Sequence, residues 1–105
     1  FWDACFIAIG VSRFNISRAM LEIDAVLDGQ WKNGMIPHIV FDKSFTNYFP
    51  SWEFWQTNVS DSPTPDPPTS GITQPPVLAR AILAIVKNSK NLNSTEEQQR
   101  VLDWA

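Results

Sequence analysis

A chain of 105 residues has the length of one small domain, and 44% apolar against 18% charged side chains gives it enough apolar surface to offset the entropy of ordering, which excludes disorder throughout. The net charge is -3 and no Lys/Arg run occurs, which counts against nucleic acid as a partner. A single cysteine excludes an internal disulfide, and one Cys with one His is too few ligands for a structural zinc site.

The spacing predicts a first helix over residues 2–13. Phe6, Ile9 and Phe14 line one side, with Trp2, Ile7 and Val11 close by, so the segment is apolar nearly all round and suits the interior of something large. Cys5 lies in its apolar run Ala4-Cys5-Phe6-Ile7-Ala8-Ile9 and reads as a buried, inert thiol. Asn15 is a good N-cap for a second helix over 16–27, where Met20, Ile23, Val26 and Leu27 recur at helical spacing. Arg18, Glu22 and Asp28 form its solvated side. The short Phe14-Asn15 junction pairs these helices as an antiparallel hairpin.

Asp28-Gly29 ends the second helix and Asn33-Gly34 supplies another turn. A long loop is expected over 31–73, carrying Pro37, Pro50, Pro63, Pro65, Pro67 and Pro68. Its two parts differ. Ser60 to Ser70 has the Ser/Thr/Pro/Asp composition of a flexible surface loop, whereas Met35 to Trp55 is dense in Ile, Val, Phe, Tyr and Trp and is expected to pack. Ile39-Val40-Phe41 is the one short extended piece.

A third helix is expected over 75–89, opened by Pro75-Pro76, with Val77, Leu78, Ala81, Ile82, Ile85 and Val86 as its apolar face and Lys87 and Lys90 at its C-terminus. Ser94 and Glu97 form a capping box for a fourth helix over 95–105, with Val101, Leu102 and Trp104 on its apolar side. The chain thus reads as all-α. It opens on Phe1 inside an apolar pattern and stops at Trp104-Ala105 in a helix just begun, so truncation at both ends is expected. No apolar run is long enough for a membrane span and no leader pattern is present, which makes no membrane contact and a cytoplasmic location the expectations. The triplets at Asn15, Asn58 and Asn93 would matter as glycosylation acceptors only in a secreted chain.

Four segments could carry chemistry. Trp2-Asp3 sets a carboxylate in an apolar helix start. Buried and unpaired it would cost several kcal/mol, so it needs either partners or the free N–H groups of the first turn. Gly29 to His38 brackets Trp31 between two turns, with Trp31 a plug and His38 a satisfied structural histidine. In Tyr48-Phe49-Pro50 with Trp52 and Trp55, aromatic rings suit the C–H faces of sugars. The two Trp residues read mainly as packing and Tyr48 as the ligand candidate. In Thr69-Ser70-Gly71-Ile72-Thr73-Gln74-Pro75-Pro76, two prolines fix the backbone after Gln74, presenting one amide rigidly.

Phe1-Trp2-Asp3-Ala4 with Phe6, then Gln30 through Pro37, and above all Thr69 through Pro76, resemble the mannosylglycerate hydrolase-like branch of glycoside hydrolase family 63. The order and spacing match over nearly the whole chain. The resemblance implies an (α/α)6 barrel, of which this chain would be one sector of helical hairpins with a long packed loop. It further implies that Trp2, Asp3, Tyr48 and Gln74 contact substrate, Asp3 and Gln74 through hydrogen bonds and Trp2 and Tyr48 as wall. The implied reaction is inverting hydrolysis of an α-linked glucosyl or mannosyl unit on a small polar aglycone or oligosaccharide, with no metal and no cofactor. The resemblance also implies that the catalytic acid and base lie further along the chain, beyond Ala105; Asp28, Asp42, Glu53, Asp61 and Asp66 read as turn or loop acids and offer no substitute pair. The alternative is a helical toroid that binds carbohydrate, or another partner, without cleaving it.

Overall fold

The structure, a computed structural model, describes residues 1–62, 66–90 and 99. Its α-helices are α1 (Trp2–Val11), α2 (Ile16–Leu27) and α3 (Leu78–Ser89), with single 3-10 turns at Trp52–Trp55 and Thr57–Val59. Among the described residues no strand forms, only an isolated antiparallel bridge between Val40 and Thr69. The all-α class read from the sequence holds. The expected helix over 95–105 and its Ser94 cap lie outside the described residues, except for Gln99, which is helical.

The chain divides into two compact units, one of Phe1 with Val26–Pro75 and one of Trp2–Ala25 with Pro76–Ala105. In the second unit, α1 packs against α3. The buried side chains of α1 and the turn after it are small, Cys5, Ala8 and Ser12. Those of α3 are Ala81, Ile85 and Ser89, four residues apart. Asn88 Nδ2 donates to Ser12 Oγ at 2.8 Å. The sequence pairs α1 with α2, but the tightest helix pair among the described residues is α1 with α3. An all-apolar helix has no single seam, so its stripe of small side chains selects the partner.

Helix boundaries shift in two places. The first helix ends at Val11 rather than 13, because Ser12 Oγ donates to the Ile9 carbonyl at 2.8 Å and diverts the chain into a turn. The third begins at Leu78 rather than 75. Gln74 and Pro75 each precede a proline, which bars both from helical geometry, so Pro75-Pro76 lie before the helix instead of opening it. The second helix has the expected bounds. Asn15 Oδ1 accepts the Arg18 N–H at 2.9 Å, the predicted cap.

The first unit is built around a pinch in the chain. Residues 38–41 run beside 68–72: His38 N donates to Ile72 O at 2.8 Å, Ser70 N to Ile39 O at 3.1 Å and Phe41 N to Pro68 O at 2.9 Å. Trp31 is buried beneath this pairing, its indole N–H donating to Thr69 Oγ1 at 2.9 Å. Gly29 is buried too. A Cβ there would overlap Val40 Cγ2, so any larger residue forces Val40 to shift. Thr69 and Ser70, expected in a flexible stretch, are fully buried because they form one side of the pinch. The aromatic loop packs only in part: Phe41 is buried while Phe49 is wholly exposed.

Candidate functional site

Trp2 and Asp3 are the first two residues of α1. Both are exposed, so the carboxylate carries no burial cost, and it sits where the free N–H groups of the helix start favour negative charge. The Trp2 ring leans on Phe6, with centroids 6.1 Å apart. This resolves the open reading of Asp3: the helix start, not a buried partner, accommodates it.

Tyr48 and Gln74 belong to the other unit, and both are half-buried. The Tyr48 ring makes edge-to-face contacts with two other rings, Phe41 at 4.9 Å and Phe45 at 5.0 Å, each at 81°. Its hydroxyl accepts the Asp42 backbone N–H at 3.2 Å. Asp42 shapes the turn that makes this possible, its Oδ1 accepting Ser44 N–H at 2.8 Å and Ser44 O–H at 2.7 Å. Those bonds hold the Asp42 carboxyl below the usual aspartate range, the hydroxyl bond contributing most. Gln74 follows Thr73, whose hydroxyl donates to the Gln74 carbonyl at 3.4 Å, and precedes the two prolines that fix its backbone.

His38 has the structural role expected of it. Its Nδ1 lies 2.7 Å from Ser70 Oγ, which also accepts the Ile39 N–H at 3.2 Å. The imidazole packs edge-on against Trp55 at 5.4 Å. Burial, with a smaller contribution from the positive amino terminus, holds its pKa below the ordinary histidine value. Trp52 packs on Phe41 and Trp55 on His38 and Phe54, in keeping with their reading as packing residues.

Sequence reasoning missed two features. One is Ser70, the buried hydroxyl on which the 38–41 and 70–72 segments meet. The other is that the turn at Asp42, read only as a turn or loop acid, meets the Tyr48 hydroxyl through its backbone N–H. The pattern Asp-x-Ser was a legible signal of a side-chain-capped turn.

Trp2 and Asp3 thus lie in one compact unit, and Tyr48 and Gln74 in the other. The chain belongs to the family described as the mannosylglycerate hydrolase MGH1-like glycoside hydrolase domain, which residues 1–103 match. It is similar to a mannosylglycerate hydrolase of Rubrobacter radiotolerans, 47% identical over 92 residues that cover 84% of this chain and 20% of that protein. A glucosylglycerate hydrolase of Mycolicibacterium hassiacum is 46% identical over 90 residues, 85% of this chain and 20% of that protein. A mannosylglycerate hydrolase of Thermus thermophilus is 35% identical over 102 residues, 96% of this chain and 24% of that protein. The chain thus spans about a fifth to a quarter of the length of these relatives.

Proposed function

We propose that the protein carrying this chain hydrolyses the α-glycosidic bond of a glucosyl or mannosyl unit on a small polar aglycone, glycerate foremost, and that Trp2, Asp3, Tyr48 and Gln74 contact the substrate. The observation that carries this reading is the match over residues 1–103 together with 46–47% identity to hydrolases of both mannosylglycerate and glucosylglycerate. In this reading Asp3 accepts hydrogen bonds from sugar hydroxyls, Gln74 bridges polar groups, and Trp2 and Tyr48 form the apolar wall. The chemistry is inverting, with one carboxylic acid protonating the leaving oxygen while a second carboxylate activates water. That pair lies on other parts of the protein, so this stretch supplies binding and orientation rather than proton transfer.

The test is turnover of mannosylglycerate and glucosylglycerate by the full-length protein, with proton NMR of the first-formed sugar. The β-anomer released first from an α-glycoside supports inversion, and the α-anomer released first refutes it. Asp3→Ala removes charge-assisted hydrogen bonds of about 1.5–3 kcal/mol each, so kcat/KM should fall roughly 10- to 150-fold for each bond lost. Wild-type kcat/KM in Asp3→Ala removes Asp3 from the site. Tight sugar binding with no turnover by folded, full-length protein would replace hydrolysis with carbohydrate binding alone.

A further inference from the structure

Tyr48 is one of two aromatic residues assigned to the sugar wall, and it alone of the two carries a hydroxyl. Its phenol oxygen accepts the Asp42 backbone N–H at 3.2 Å. A backbone N–H can only donate, so the phenol proton is not consumed by this bond and remains for an acceptor elsewhere. The bond exists because Asp42 to Phe45 is a closed turn: Phe45 N donates to Asp42 O at 3.1 Å, and Asp42 Oδ1 takes both donors of Ser44. The same turn brings the Phe45 ring back against Tyr48 at 5.0 Å, where Phe41 also packs at 4.9 Å. Phe45 is half exposed, so its contact with Tyr48 is not explained by burial in a core.

We propose that Asp42 and Phe45 are positioning residues for Tyr48: the Asp42–Phe45 turn fixes the ring and orients the phenol so that its proton is donated to a sugar oxygen. Asp42 acts through its Oδ1, which Ser44 occupies, and not as an acid or base. This inference rests on Tyr48 being a substrate contact, as stated under Proposed function.

A double-mutant cycle in the full-length enzyme tests it, with kcat and KM measured on mannosylglycerate and glucosylglycerate. Tyr48→Phe and Asp42→Ala should each raise KM about five- to tenfold, the loss of one hydrogen bond, with kcat changed less than about twofold. The double variant should be no worse than Tyr48→Phe alone, because Asp42 then has nothing to orient. Asp42→Asn, whose side-chain oxygen can rebuild the turn, should restore the wild-type KM. Phe45→Leu should raise KM without altering the Tyr48→Phe background. If Tyr48→Phe is impaired while Asp42→Ala is unchanged, or if the two losses multiply, the positioning role is overturned and the contact role stands. If Tyr48→Phe itself has wild-type KM, the contact role fails and this inference with it. Should Asp42→Ala fold poorly, Ser44→Ala, which removes one of the turn's hydrogen bonds, gives the same cycle with a smaller KM effect.

Discussion

Thr69→Val isolates a single buried bond. Thr69 is 1% exposed and Trp31 9% exposed, and the indole N–H of one donates to the hydroxyl of the other at 2.9 Å. Valine matches threonine in shape but puts a methyl where the acceptor was, so the indole N–H is left buried without a partner. Such an orphaned donor costs about 1–3 kcal/mol, more than the bond itself contributes net. The pairing of 38–41 with 68–72 is what this bond ties to Trp31, so local opening of that pairing should become easier by the same amount. Amide exchange read by mass spectrometry on the full-length protein should show protection of peptides covering 31–41 and 68–72 falling roughly 5- to 150-fold. Thr69→Ser keeps the hydroxyl and loses only a methyl, so it should lose much less. Unchanged protection in Thr69→Val, or an equal loss in Thr69→Ser, would refute the reasoning.

Gly29→Ala should destabilise the same region. Its new methyl would overlap Val40 Cγ2, an overpacking cost of about 1–3 kcal/mol that the stiffer unfolded chain offsets by only about 0.4–1 kcal/mol. Val40→Ala in the same chain should recover most of the loss, read as the urea concentration at which thermolysin cuts the loop. The Asp42 carboxyl should titrate below an ordinary aspartate by carboxyl NMR, and Ser44→Ala should move it back up. Because its folded pKa is depressed, whatever stability it lends the turn is present above the ordinary aspartate pKa and lost as the pH falls through the folded value. Cys5, buried with its thiol pKa pushed up by desolvation, should resist thiol reagents in the native protein and react on unfolding.

The helices were legible because their signals are local. Asn15 caps α2 where its side chain says it should, and 3.6-residue spacing marks Met20, Ile23 and Val26, all buried. The proline pair was legible as a helix signal but misplaced by three residues, since a favourable first-turn residue is also a barrier to helix in the residue before it. The partner of α1 could not be read from periodicity, as a segment apolar on every side gives no direction. Thr69 and Ser70 were hidden by composition: two small polar residues in a Ser/Thr/Pro run look solvated, and only pairing with residues some thirty positions earlier buries them. As for the site, Asp3, Tyr48 and Gln74 were named from a resemblance and from local stiffness. The Asp-x-Ser pattern announced a turn after Asp42, but not that the turn would lie against Tyr48, because that contact depends on the fold of the loop.

The narrow pairing of 38–41 with 68–72 works as a drawstring on the stretch between. Once Gly29, Val40 and Thr69 are drawn together, lengthening the enclosed segment costs only about 0.6 kcal/mol for each doubling. Insertions between Asp42 and Pro67 can therefore accumulate at little cost to the knot, provided that Trp52 and Trp55, which pack on Phe41 and His38, are kept.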